Sequence, residues 1–213
     1  MNIDAFRRLP LMGILRGVGQ EVLEPLLETI IDSGLHTIEI AMNTPDAPEL
    51  ISRAQEIAQG RLTIGAGTVL SKDILKSALE SGATFIVLPT VIKDVVSYCA
   101  ENSIPVFPGA LTPHEIFAAW NAGATMVKVF PAKCFGPHYM REVKGPFESI
   151  KLLACGGVNP ENIAVYFESG ADAVAFGGSV FNKALLAQKK FKTIGESLKS
   201  YISHYMAFIK PQL

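Results

Sequence analysis

An amine sits in the middle of an apolar run, Met126-Val127-Lys128-Val129-Phe130-Pro131. A charged ammonium in a buried strand is costly, so such a lysine tends to become neutral or to find a partner. A neutral lysine is a nucleophile that can form a Schiff base with a carbonyl substrate. The competing reading is a lysine whose stem packs in the core while its head reaches a polar rim. A carboxyl occupies a comparable run, Thr37-Ile38-Glu39-Ile40-Ala41. If both side chains enter one interior, Glu39 can act as acid and base for chemistry at Lys128. Otherwise the two form a buried structural ion pair, which is weak grounds for stability.

These runs belong to a series. Short apolar stretches recur at Leu11–Leu15, Thr37–Ala41, Thr63–Gly67, Phe85–Leu88, Pro105–Pro108, Met126–Phe130, Lys151–Ala154 and Ala173–Gly177. Room for one helix separates successive runs, and Val22–Ile31 and Ile74–Leu79 carry apolar residues at helical spacing. Alternating strands and helices predict a parallel sheet, and eight such units predict a closed (β/α)8 TIM barrel. A doubly wound open sheet would be favoured by a G-x-G-x-x-G turn after the first strand, and that turn is absent. The chain is expected to be one α/β domain over residues 1–213, with a short N-terminal helix and a C-terminal helix.

A weak repeat fixes the register. Gly34, Gly82, Gly123 and Gly170 each stand a few residues before an even-numbered strand. Each would end a helix in the left-handed conformation. The fifth residue after each glycine is Glu39, Val87, Lys128 or Ala175. Alternate strands fill one layer of such a barrel, so these four are predicted to share a layer. The next layer toward the mouth would be Ala41, Pro89, Phe130 and Gly177, and above it Asn43, Val91, Ala132 and Ser179. A carboxyl and an amine where barrels usually place branched aliphatics point to function.

Polar or glycine-rich sequence follows nearly every strand at the end where barrel active sites lie. Arg16 could fork onto a carboxylate or phosphate, or be a surface arginine. Thr68 could bond a carboxylate or cap the next helix. Pro89 closes the fourth strand and Pro108-Gly109 the fifth, while Phe130 would wall a pocket or fill core. Cys155-Gly156-Gly157 and Gly177-Gly178-Ser179 end the last two strands. Two glycine pairs there let backbone N–H groups approach an anion, at the usual phosphate position of this fold. Lys133 and Lys144 are expected to be solvated loop residues.

The bulk composition narrows the partners. A net charge of −1 over 213 residues gives no footprint for nucleic acid or an anionic membrane. No apolar run reaches membrane-spanning length, and the first residues have no secretory apolar stretch. The three cysteines form neither a disulfide framework nor a zinc pattern, which suits a reducing cytoplasm. The four histidines have no ligand spacing, so no metal is expected.

Taken in order and spacing, Gly13-Ile14-Leu15-Arg16-Gly17, Ile38-Glu39-Ile40, Gly65-Ala66-Gly67-Thr68-Val69-Leu70, Pro108-Gly109, Lys128-Val129-Phe130-Pro131-Ala132, Gly156-Gly157-Val158 and Gly177-Gly178-Ser179 resemble the 2-keto-3-deoxy-6-phosphogluconate / 4-hydroxy-2-oxoglutarate aldolase family. The resemblance runs from Leu11 to about Phe181. It implies that Lys128 forms the imine and that Glu39 is the acid/base. It implies that Thr68, Pro89 and Phe130 line the pyruvyl site. Gly156, Gly157, Gly178 and Ser179 would then hold phosphate. It implies no cofactor beyond the covalent imine, no metal, and a homotrimer.

Two positions depart from the phosphogluconate pattern: Asn43 where an arginine is usual, and Cys155 where a threonine is usual. Both changes, with Phe135-Gly136-Pro137-His138-Tyr139, look more like the 2-dehydro-3-deoxy-6-phosphogalactonate branch. There Arg16 would take an anion-binding role. Cys155 leaves the epimer open or relaxed, because an epimer is read well only through its hydroxyl. The other readings are cleavage of unphosphorylated 4-hydroxy-2-oxoglutarate, a barrel lyase or isomerase working without an imine, and a non-catalytic sugar-phosphate binder.

Overall fold

The computed structural model describes residues 1–210; residues 211–213 of the domain expected over 1–213 lie outside the described ones. The first three strands, Leu11–Leu15, Thr37–Ala41 and Thr63–Gly67, have the bounds their apolar runs predict. The fourth, sixth and eighth are shorter, at Ile86–Val87, Val127–Val129 and Ala173–Phe176, and the seventh is shifted by one residue, to Leu152–Cys155. The fifth departs from expectation. It is broken into Val106–Phe107 and Gly109–Ala110 on either side of Pro108.

Pro108 has no N–H to donate, which interrupts a ladder. The two halves then serve different neighbours. Val106–Phe107 pairs with the fourth strand and Gly109–Ala110 with the sixth. The Pro108 carbonyl still accepts from the Lys128 N–H at 2.8 Å. The first strand pairs with the eighth, Met12 opposite Ala175. Every ladder is parallel, so nine pieces make a closed (β/α)8 barrel of eight strands.

The repeat glycines behave as the register argument requires. Gly34, Gly82, Gly123 and Gly170 have φ of +86°, +94°, +98° and +99°. A side chain would strain that conformation, and each glycine turns the chain from a helix end into a strand. The helices Gln20–Ser33 and Lys72–Glu80 cover the two stretches of helical spacing.

Strand alternation sorts the core into two shells. Ile38, Ile40, Ile64, Ala66, Val127, Val129 and Val174 face the helices. Met12, Phe85, Val87, Phe107, Met126, Leu153, Ala173 and Ala175 fill the barrel. Phe6, on the N-terminal helix Ile3–Arg8, closes the lower end edge-on to Phe107 at 6.0 Å. Phe107 in turn meets Phe85 edge-on at 5.8 Å. Gly65 permits this plug, since a Cβ there would stand 2.5 Å from the Phe85 ring. With the bottom filled, the barrel opens at its C-terminal mouth.

Lys144 corrects the expectation of a solvated loop lysine. It ends the helix His138–Lys144, donates to the Ile150 carbonyl at 2.6 Å and pairs with Asp172 at 2.7 Å. Its side chain is mostly buried, and it ties that helix to the start of the eighth strand. Lys133 is exposed.

Candidate active site

Lys128 and Glu39 enter the barrel where the register puts them, 6% and 1% exposed. Val87 and Ala175, the other two members of the predicted layer, are buried in the same interior. Burial pushes the Glu39 carboxyl up from its ordinary 4.5, while the charges of Lys128 and Arg16 hold it down. Its Oε2 is buried, with no hydrogen-bond partner among the described residues. An unpartnered buried carboxyl oxygen favours the protonated form. This acid is therefore poised to give and take protons at a higher pH than a surface glutamate.

Gly67 explains how a carboxyl fits there. A Cβ on Gly67 would stand 2.5 Å from Glu39 Oε1 and 2.7 Å from its carboxyl carbon. Gly67→Ala should displace the Glu39 carboxyl. Misplacing a catalytic group by about 1 Å can cost ~10²-fold. A loss of that order in turnover, with thermal unfolding little changed, is the expected result; an unaltered rate would mean that Glu39 has room to spare.

Above Lys128 opens a cavity of about 770 Å³. Its lining brings together Arg16, Asn43, Thr68, Pro89, Lys128, Phe130, Cys155, Gly156, Gly157, Gly177, Gly178 and Ser179. Glu39 is not part of the lining; it lies beneath the floor. From the upper predicted layers, Pro89, Phe130, Gly177, Asn43 and Ser179 reach the cavity. Ala41, Val91 and Ala132 do not. Ala132 starts a 3-10 turn, Ala132–Cys134, and packs into the outer core. Strand parity ends where the strand ends.

The walls have distinct chemistry. Phe130 is 38% exposed and walls the pocket, with its ring centroid 5.4 Å from Lys128 Nζ. Burial pushes the Cys155 thiol up, with Lys128 acting against it, so the thiol stays neutral. Thr68 does not cap the next helix. Ser71 does, accepting from the Ile74 N–H at 3.2 Å. Thr68 instead takes a left-handed backbone, φ +59°, and its hydroxyl accepts from Arg16 Nη2 at 3.2 Å. Thr44, buried, accepts from the Gly17 N–H at 3.0 Å and joins the loops after the first two strands. Arg16 is thereby steadied at the mouth.

The far wall is made of the two glycine loops. Gly156 and Gly157 have φ of +91° and +89°. A Cβ on Gly178 would meet nothing within 4 Å. Among the described residues, the N–H groups of Gly157, Gly178 and Ser179 donate to no protein acceptor. Free N–H groups lining a concavity form an anion cradle.

Sequence reading missed several lining residues, including Asn159, Asn182 and Lys183. Asn159 and Asn162 exchange side-chain to backbone hydrogen bonds at 2.8 and 2.9 Å, and Asn162 Nδ2 donates to the Gly157 carbonyl. Asn182 caps the short helix Lys183–Ala187. For Asn182 the signal was an Asn placed directly before a helix, which favours a cap. A second depression, of about 720 Å³, lies around Phe117, Trp120 and Phe147. It has no lysine in its lining and no buried ionisable group, so chemistry belongs at the barrel mouth.

A closed (β/α)8 barrel with a buried amine, a buried carboxyl and an anion cradle at its mouth is an enzyme scaffold. The family description KDPG and KHG aldolase matches residues 3–197, and the chain belongs to this family. It is therefore a carbon–carbon lyase. It is 30% identical to the 2-dehydro-3-deoxy-6-phosphogalactonate aldolase of Escherichia coli (strain K12), over 91% of this chain and 95% of the relative. It is also 30% identical to the 2-dehydro-3-deoxy-phosphogluconate aldolase of Haemophilus influenzae, over 94% of each. A solved structure described as native KDPGal superposes with a TM-score of 0.89 at 28% identity, covering 97% of this chain and 98% of that one.

Proposed function

We propose that the protein is a class I aldolase that cleaves a 2-keto-3-deoxy-6-phospho sugar acid to pyruvate and glyceraldehyde 3-phosphate. The observation that carries this reading is a buried amine that opens onto a polar cavity, with a buried carboxyl behind it. Lys128 Nζ attacks the C2 carbonyl, and the carbinolamine loses water with a proton supplied by Glu39 through a water. The protonated imine is the electron sink. Glu39 then takes the C4 hydroxyl proton through the same water, and the C3–C4 bond breaks. Its electron pair passes into the imine as an enamine, and the aldehyde leaves. Protonation at C3 and hydrolysis release pyruvate and restore the amine.

Arg16 and Thr68 hold the carboxylate end, Pro89 and Phe130 wall the pyruvyl group, and the two glycine loops take the phosphate. Asn43 and Cys155 face the sugar hydroxyls. Neither matches the phosphogluconate pattern, which favours the galacto epimer. Cleavage of unphosphorylated 4-hydroxy-2-oxoglutarate would leave the anion cradle unused. Neither a metal nor a cofactor takes part in this scheme, and the partners are the keto acid and sugar phosphate rather than nucleic acid or membrane. Among the described residues no helix is long and apolar enough to cross a membrane. A cytoplasmic homotrimer completes the proposal on family grounds, and a sedimentation mass of one chain would remove the trimer.

Incubation with pyruvate followed by borohydride should add a reduced pyruvyl group to the peptide carrying Lys128. Assay of both phospho sugar acids should then give pyruvate, faster from the galacto epimer. A folded sample with no adduct would turn the reading to a lyase or isomerase working without an imine.

A further inference from the structure

Tyr201 lies outside the cavity, on the C-terminal helix Phe191–Ile209, and is 1% exposed. Its ring stacks on Phe176 with centroids 4.1 Å apart. Phe176 ends the eighth strand, directly before Gly177-Gly178. The Tyr201 hydroxyl donates to the Val158 carbonyl at 2.8 Å and lies 3.0 Å from Ser179 Oγ. Val158 follows one glycine pair and Ser179 follows the other. One phenol, 43 and 22 residues away in sequence, therefore joins both loops of the anion cradle.

The protons can be counted. A phenol has one, and a peptide carbonyl only accepts. The Tyr201 proton is committed to Val158, so Ser179 must be the donor in the other bond. In the free site the Ser179 proton is turned away from the cavity. Burial pushes the Tyr201 phenol up, with the Ser179 hydrogen bond acting against it, so the phenol keeps its proton.

We infer that Tyr201 is a positioning residue for phosphate, holding Ser179 Oγ at the cavity wall and setting which way its proton points. The inference rests on the phosphate role of the two glycine loops. When phosphate enters, Ser179 turns its proton to a phosphate oxygen, and Tyr201 moves its one proton from the Val158 carbonyl to Ser179 Oγ, so the Val158 bond is given up for the phosphate bond. Two hydroxyl rotations suffice, and the serine becomes a stronger donor by accepting from the phenol. The competing reading is a core tyrosine whose hydroxyl simply satisfies itself, and it predicts a change in stability alone.

Tyr201→Phe keeps the ring and its stack. The probe is inorganic phosphate, titrated by calorimetry. A second readout is exchange of the pyruvate methyl protons with deuterated water, which needs Lys128 and Glu39 but no phosphate. Tyr201→Phe and Ser179→Ala should each weaken phosphate binding roughly five- to tenfold, the scale of one or two neutral hydrogen bonds. The double variant should fall well short of the product of the two. KM for the phospho sugar acid should rise far more than kcat falls, and phosphate affinity should suffer several-fold more than pyruvate exchange. Unchanged phosphate affinity, a full product in the double variant, or an equal loss of pyruvate exchange would each overturn the inference. If the wild type exchanges no pyruvate protons, the aldolase reading fails, yet the phosphate titrations still decide the role of Tyr201. Should Tyr201→Phe not fold, the wild type suffices: inorganic phosphate must shift the ring-carbon NMR signal of the same tyrosine that Ser179→Ala shifts.

Discussion

Lys128→Ala should fold and release no pyruvate at any pH. In the proposed mechanism there is no imine without the amine, and without the imine the C3–C4 electron pair has no sink. Enzymes typically accelerate their reactions ~10⁶-fold or more, and the proposed covalent route replaces one hard step by easier ones, so a fall of more than ~10⁴-fold is expected. The truncated side chain ends at the floor of a cavity already open to solvent, so the fold should survive. Lys128→Arg separates the amine from its charge. A guanidinium keeps the charge and is not deprotonated in proteins, so this variant should be as inactive as the alanine. Pyruvate release can be followed through lactate dehydrogenase, and borohydride labelling should vanish in both variants. Substantial turnover in either would remove the covalent mechanism.

The position of Lys128 could be read before any coordinates because two periods agreed. The repeat glycines take a conformation open to few other residues, so each fixed the start of a strand. Side-chain alternation then placed Lys128 and Glu39 inside. This logic holds while backbone hydrogen bonds run in a ladder. It stops at Ala132, where the chain leaves the sixth strand for a 3-10 turn. It also fails at Pro108, where a missing N–H divides one strand between two neighbours. Thr68 was ambiguous for a different reason. Its hydroxyl meets Arg16, 52 residues away in sequence, and nothing in the adjacent residues encodes that contact. The Tyr201 bridge to Ser179 and Val158 is a tertiary contact of the same kind. A buried tyrosine on a helix reads as core in sequence, and only the closed barrel shows which loops its hydroxyl meets.

Gly65 and Gly67 carry a related lesson. In sequence they end a predicted strand, and nothing there says what they make room for. In the barrel they are strand residues opposite larger neighbours, and the space of their missing side chains holds the Phe85 ring and the Glu39 carboxyl. The third strand thus yields volume to the fourth for packing and to the second for chemistry. Replacing either glycine tests a different function of the same strand.

Glu39→Gln should trade activity for stability. Glutamine is close to glutamate in shape but neither gives nor takes a proton at working pH. Positioned acid/base groups contribute ~10²–10⁴-fold, so kcat should fall by that order. In the proposed mechanism, cleavage needs the carboxylate to accept the C4 hydroxyl proton. Burial holds the Glu39 carboxyl above 4.5, so the rate should rise with pH through a pKa above that of an ordinary glutamate. The glutamine variant should lack this limb. Stability should move the other way. Below pH 4.5 both folded and unfolded states of the wild type hold the Glu39 proton, and no cost arises. As pH rises toward the folded pKa, the unfolded chain releases that proton more readily, so stability is lost through that window and stays lower above it. The variant has no proton to lose. Its melting temperature should exceed that of the wild type at neutral pH, and the gap should close as pH falls to 4.5. A gap that does not change with pH would mean that Glu39 titrates alike in both states. An unchanged kcat would assign the proton transfers to another group.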